Sequence, residues 1–366
     1  VDIHAHYRGP ACTHTEAIAS GSRSAAAGGF TTVVAMANTK PVIDNEETLQ
    51  EVLNQMEKSN INVYTVAAIT KGLKGKELVD MDRLHELGAI GFTDDGIPIN
   101  NKEIIIEAME KAKELDVPLS FHEEDPCFIG TPGINEGRIS QSLDIKGAPN
   151  IAEDLMVARD SMLALHTGAK IDIQHISSGN SVDMIRFIKG LGAKVYAEVT
   201  PHHFVLTEDA ILEHGSLAKM NPPLRKKEDL ESIIRGIKDN TIEIIATDHA
   251  PHSREEKEMD IRKAPSGIIG LETSLALGIT HLVKKGHISL MSLLEKMTIN
   301  PSKLYNLDSG SLNIGSSADI VIFSQEESFL VEKFESKSSN TPFIGQELQG
   351  KVKYTICRGK IVYKDI

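Results

Sequence analysis

Cysteine is scarce in this sequence: Cys12, Cys127 and Cys357 are scattered over 366 residues. An odd, widely spaced set makes no disulfide framework, and a reducing cytoplasm is the simplest setting. Basic side chains are in the minority, 39 Lys and Arg against 52 Asp and Glu, leaving a net charge of −13. A surface of that sign favours solubility and repels nucleic acid and anionic membranes, so neither is expected as a partner. There is no apolar run near the roughly 18 residues of a membrane span, and no signal peptide. A G-x-G-x-x-G turn after the first apolar segment, the mark of a doubly wound nucleotide-binding sheet, is also missing. Position 1 is Val and opens directly on a strand-like run, so N-terminal residues were removed or the chain is a fragment.

What is present is a β/α rhythm. With 40% hydrophobic residues the chain can bury a sizeable core. Short, mostly continuous apolar runs recur: VDIHAH from Val1, FTTVVAM from Phe30, INVYTVAAI from Ile61, AIGFT from Ala89, PLSFHE from Pro118, KIDIQHIS from Lys170, KVYAEVT from Lys194 and IEIIATD from Ile242. Strands buried on both faces read this way. Helical stretches lie between them, such as ETLQEVLNQMEK from Glu47 and NKEIIIEAMEKAKEL from Asn101. Thr13, with Glu16 three residues on, reads as a capping box opening the first helix. Eight such units predict an α/β fold of the closed (β/α)8, TIM-barrel type over residues 1–306. After Asn300 the texture changes: Pro301 begins or interrupts a last helix, and Gly- and Ser-rich short β runs follow. Residues 307–366 are expected to form an antiparallel unit too small to bury a core alone.

In such a barrel the active-site groups sit at the carboxyl ends of the strands. Those ends carry His4 and His6, Asp94 and Asp95, His122, His175, His202 and His203, and Asp248, with Asn38 after the second strand and Asn221 later. His4 and His6 are two apart on a strand, so both point to one face, the barrel mouth. Singly, none of these decides anything. A lone histidine is usually a satisfied core residue, Asp94-Asp95-Gly96 is a turn sequence, and Asp248 would serve as a helix N-cap. Jointly, five strand ends of eight bearing imidazole or carboxylate point to a zinc-type divalent site. A carboxylate shared by two ions would make it binuclear, able to acidify a trapped water and polarise a carbonyl, as amide hydrolysis requires. Asp248 would carry the proton for the departing nitrogen.

These residues resemble the amidohydrolase superfamily and, within it, the class I dihydroorotases. The likeness runs from Val1 to the C-terminal strands through VDIHAHYRGP, GFTDDG, FHEED, HISS, AEVTPHHFVLTE, KMNPPLR, ATDHAPH, APSGIIGLE and NTPFIG. The resemblance implies reversible, zinc-dependent hydrolysis of dihydroorotate to N-carbamoyl-L-aspartate; the reverse, ring closure in pyrimidine biosynthesis, is favoured at lower pH. It implies one or two zinc ions, with His4, His6 and Asp248 on one, His122 and His175 on a second, and Asp95 bridging where many relatives use a carbamylated lysine. It implies that Arg8, Asn38 and His252 hold the substrate carboxylate, and that Asn221 and the backbone at Ser266 and Gly267 meet the ring. His202 and His203 are left as structural. The charged stretch Ser253 to Ala264 reads as a mobile lid or as a plain solvated loop.

Family members usually begin earlier, with strands that complete a composite β-sandwich, so residues 307–366 would be its C-terminal part. Gly9, Ala37, Glu123 and Ser266 depart from the family pattern, which usually has Glu, Pro, Cys and an aromatic there. A homodimer, and docking on aspartate transcarbamoylase as in some relatives, stay open. Two rival readings also stay open. One is another cyclic amidase, a dihydropyrimidinase, hydantoinase or allantoinase; Arg8, Asn38 and His252 argue against it, because those substrates lack this carboxylate. The other is a non-catalytic scaffold, against which the complete set of six ligands argues.

Overall fold

The structure, a computed structural model, describes residues 1–7 and 14–365. Each apolar run contains a short strand: β1 (Asp2–Ala5), β2 (Thr32–Ala35), β3 (Asn62–Thr65), β4 (Phe92–Thr93), β5 (Leu119–Phe121), β6 (Ile171–Ile173), β7 (Val195–Val199) and β8 (Ile244–Ile245). β1 and β2 are buried throughout, which is why they read as unbroken apolar runs rather than as an alternation. The strands pair in sequence order, all parallel, as one sheet of β1–β2–β3 and another of β4 to β8. Parallel bridges join the sheets at both seams, Ala67 to Phe92 and Ala5 to His249. At the second seam His6 N–H donates to the His249 carbonyl at 2.9 Å. There the Asp2 carboxylate also accepts from the Thr247 N–H and hydroxyl, both at 2.8 Å. This seam sets the His4-x-His6 end of β1 beside the Asp248 end of β8.

The intervening helices follow their sequence patterns. Helix Lys102–Glu114 starts at Asn101, whose side chain accepts from the Glu103 N–H, and it buries Ile105, Ala108, Met109 and Ala112, one face at 3.6-residue spacing. Helix Glu46–Met56 is capped in the same way by Asn45 and buries Leu49, Val52 and Met56. The capping-box reading at Glu16 does not hold. The first helix runs Ile18–Ala27, and the Ser20 hydroxyl, not Glu16, accepts the Ala17 N–H at 3.0 Å. Glu16 faces inward instead, 3.3 Å from His249 Nε2 and hydrogen-bonded by the Ser20 and Ser336 hydroxyls, because a buried carboxylate needs those partners more than the helix does. Thr13 lies outside the described residues. Gly28, just past this helix, sits so close to the chain that a Cβ there would be 2.0 Å from the Leu271 carbonyl oxygen.

Pro301 falls in the first turn of helix Ile299–Leu304, where a missing N–H is harmless. Beyond it an antiparallel sheet forms from β9 (Ile320–Leu330), β10 (Glu347–Cys357) and β11 (Lys360–Lys364), with β10 central. It takes its core from the helical layer. Val352 joins the main apolar core, while Val331, Phe343 and Leu348 pack with Ala276 and Leu277. The molecule is therefore an α/β fold of parallel strands and helices with an added antiparallel sheet.

Candidate metal centre and substrate cavity

Five strand ends deliver imidazoles and carboxylates to one place. His4 lies in β1 and His6 just past it; Asp95 follows β4, His122 β5, His175 β6 and Asp248 β8. All six side chains are buried. His4 Nε2 is 3.8 Å from Asp95 Oδ2 and 3.6 Å from Asp248 Oδ1. His6 Nε2 is 3.0 Å from Asp248 Oδ1 and 3.5 Å from Asp95 Oδ2. The other oxygen of Asp95, Oδ1, is 3.7 Å from His122 Nδ1, which is 3.0 Å from His175 Nε2. Two groups capable of holding a metal ion result, His4–His6–Asp95 and Asp95–His122–His175, each with ligand atoms within 4.8 Å of one another. Asp95 belongs to both.

The arrangement fits a cation better than a hydrogen-bond network. His4 Nδ1 donates to Glu198 Oε1 at 2.5 Å, and His6 Nδ1 to Asn38 Oδ1 at 3.0 Å. His122 Nε2 donates to Glu124 Oε2 at 2.9 Å. With the outer nitrogen of each ring donating, the inner one is a lone pair facing other acceptors, the state a metal ligand needs. Buried His4 Nε2 has no hydrogen-bond partner among the described residues. Nitrogen and oxygen donors in this number suit a zinc-type ion. Burial raises the Asp95 carboxyl, but the surrounding His4, His6 and His122 rings outweigh it and favour the carboxylate form. Burial, then the neighbouring His122 and His4 rings, push His175 well down and keep it neutral. His175 and Asp248 have φ of 33° and 45°, a costly backbone for such residues of the kind that clusters at functional sites.

A cavity of about 150 Å³ adjoins the cluster, lined by His6, Asn38, Asp95, His122, His175, Asn221, Asp248, Ser266 and Gly267 among others. Asn221, joined to Pro222 by a cis peptide, leaves its Oδ1 buried without a hydrogen-bond partner among the described residues. Gly267 has φ 135°, and a Cβ there would meet Ala250 Cβ at 2.8 Å and His252 Nε2 at 3.0 Å, so glycine is required. Its N–H donates to the Lys219 carbonyl at 3.0 Å, and the Ser266 carbonyl accepts from His252 Nε2 at 2.9 Å. These backbone groups thus hold the wall together. His252 itself lines a neighbouring cavity, also about 150 Å³, shared with Asn38, Thr39 and Lys40. Asn38 borders both cavities, but its amide is turned to the cluster: besides accepting from His6, it donates to Asp95 Oδ2 at 2.9 Å. Arg8 lies outside the described residues.

His202 and His203 stay apart from the cluster. His203 accepts from the Thr200 hydroxyl at 2.7 Å and donates to the Pro222 carbonyl at 3.0 Å, bracing the cis turn that carries Asn221. Glu123 also takes no part; burial and then Asp160 push its carboxyl well up, toward the neutral form. Sequence reasoning missed Glu198 and Glu124. Glu124 carries a weak signal, since it lies two residues after His122; Glu198 lies 194 residues from His4 and has none.

A profile described as dihydro-orotase-like matches residues 1–181. The dihydroorotase of Clostridioides difficile (strain 630) is 63% identical over 99% of this chain and 86% of its own. That of Lactococcus lactis subsp. lactis (strain IL1403) is 54% identical over 100% of this chain and 86% of its own. Among solved structures, L-hydantoinase (dihydropyrimidinase) from Arthrobacter aurescens superposes with a TM-score of 0.89, covering 99% of this chain and 84% of the other, at 24% identity, a likeness of fold. No helix among the described residues is long and apolar enough to cross a membrane. Identity of 63% over nearly the whole length settles the kinship: the chain belongs to the dihydroorotase family.

Proposed function

We propose that this chain is a metal-dependent cyclic amide hydrolase, a dihydroorotase, which interconverts (S)-dihydroorotate and N-carbamoyl-L-aspartate. The observation that carries the reading is the pair of histidine groups sharing Asp95 beside a cavity that Asp248 also lines. His4, His6 and Asp248 would hold one zinc ion and His122 and His175 a second, with Asp95 shared by both groups. When bound, the ions supply an acidified water and a Lewis acid for the amide carbonyl. Asp248 accepts the proton of the attacking water on a carboxylate oxygen and passes it to the ring nitrogen as the C–N bond breaks. Ring closure runs the same transfer backwards. Asp248 lines the cavity and its Oδ1 is 3.0 Å from His6 Nε2, which supports this role. Asn221 Oδ1, without a partner among the described residues, accepts a ring N–H, and Ser266 and Gly267 bound the ring.

Arg8, Asn38 and His252 hold the substrate carboxylate, a guanidinium being suited to that planar anion by its two parallel donors. Asn38 does this from a side chain that also orders His6 and Asp95. We read the eight parallel strands as one closed (β/α)8 barrel within residues 1–306, supported by the bridges at both seams. Residues 307–366 are read as the C-terminal part of a composite β-sandwich, supported by the three antiparallel strands. The cytoplasm is the assigned compartment, on the three scattered cysteines.

The test is a turnover panel of zinc-loaded protein with dihydroorotate, dihydrouracil and allantoin. Dihydroorotate alone should react. Cleavage of another member with dihydroorotate inert overturns the substrate assignment, and inactivity on all three with zinc bound overturns the enzyme.

A further inference from the structure

The segment Ser253 to Ala264 is exposed along much of its length but is anchored at Ser253, Lys257 and Ala264. Ser253 caps the short helix Arg254–Lys257: its hydroxyl accepts the Glu256 N–H at 3.2 Å, and the Glu256 carboxylate accepts the Ser253 N–H at 2.8 Å. At the end of that turn Lys257 points inward. Its Nζ donates to the Pro265 carbonyl at 2.9 Å, to Gly267 at 3.0 Å and to Lys219 at 3.4 Å, using all three N–H bonds of an ammonium. Lys219 answers from the other side, donating through Nζ to the Ile261 carbonyl at 2.8 Å and to Ala264 at 2.7 Å. Both lysines are buried, only 3% and 4% exposed, and neither lines the substrate cavity.

A cation held in this way is costly. Burial and then the Lys219 charge push Lys257 down to about 7, with Glu256 opposing. Burial lowers Lys219 as well, against Asp260. An exposed side chain could tether a plain loop without that penalty. The bonds made here converge on Gly267 and on the Lys219 main chain, two residues before Asn221. Asn340 extends the lattice, donating to the Gly267 carbonyl at 3.1 Å and accepting the His252 N–H at 3.0 Å.

We infer that Lys219 and Lys257 are positioning residues, which clamp the Ser253–Ala264 segment onto the ring-binding wall of Asn221, Ser266 and Gly267 and so set substrate affinity without touching substrate. The inference rests on the dihydroorotase reading above. A wall that meets the ring equally in the bound and transition states contributes to KM and leaves kcat unchanged.

Zinc-loaded wild type, Lys257→Met, Lys219→Met and the exposed control Arg254→Gln are compared for kcat, KM and zinc content with N-carbamoyl-L-aspartate. Either lysine variant should raise KM about tenfold or more with kcat within about twofold, at unchanged zinc content, and Arg254→Gln should match wild type. An unaltered KM, or a loss confined to kcat, overturns the inference. Should a lysine variant not fold, hydrogen exchange on wild type decides: N-carbamoyl-L-aspartate should protect residues 257–264 together with 219–221 and 266–267. Protection of the wall with none in 257–264 overturns the clamp. If wild type cleaves a different cyclic amide, the functional reading fails by itself, and the same KM comparison is made on that substrate.

Discussion

A carboxylate buried among imidazoles whose outer nitrogens are already committed has few stable states without a cation, and Asp95 is in that position. The residues behind the rings matter as much as the rings. Glu198 fixes His4 through Nδ1 and also accepts the main-chain N–H of His175 at 3.1 Å, so it touches one member of each group. Glu198→Gln should weaken zinc binding about 10- to 100-fold, read by titration against a competing chelator. Unchanged affinity would show that His4 is oriented by packing alone. Asp248→Asn should lower kcat by roughly 10²- to 10⁴-fold. Zinc content measured alongside separates a lost proton carrier from a lost ligand. The His4-x-His6 spacing was legible, because two residues along a strand fix a shared face. Asn38 was legible as a site residue, but its turn toward His6 and Asp95 was not, since the amide chooses among partners that only folding assembles.

Among the elements, strand positions were readable because parallel strands buried on both faces are apolar throughout. Their ends were less so: the observed strands stop short of the apolar runs, and the residues beyond them bend to carry the site. The first helix shows the same limit. Thr13 and Glu16 have capping-box spacing, yet Glu16 is drawn inward to His249. Gly28 tests local preference against packing directly. Its φ of −78° suits any residue, so helix propensity alone predicts that Gly28→Ala stabilises by about 0.5–1 kcal/mol. The Leu271 carbonyl, 2.0 Å from where the Cβ would stand, is backbone and yields little. The variant should instead lose about 1–3 kcal/mol, measured as a lower denaturant midpoint.

Across the whole molecule, the proposed ligands span residues 4 to 248, so bound ions would tie together both parallel sheets. A ligand that binds only the folded chain raises its stability by mass action. Stripping with a chelator should abolish turnover and lower the melting temperature, and added zinc should restore both. Full activity in stripped protein would sink the metal-dependent reading. The antiparallel sheet belongs to the same scale: its apolar side chains cluster with Ala276 and Leu277 of the helical layer.

The order of the strands, the apolar faces and the presence of His and Asp at the strand ends were legible in the sequence alone, because each depends on neighbours a few positions away. Tertiary structure decided that Asp95 is shared by two histidine groups, that Glu198 and Glu124 brace the rings, and that two buried lysines hold the cavity wall. Those facts depend on which side chains meet across long stretches of chain, and only the packing of strand against strand brings them within bonding distance.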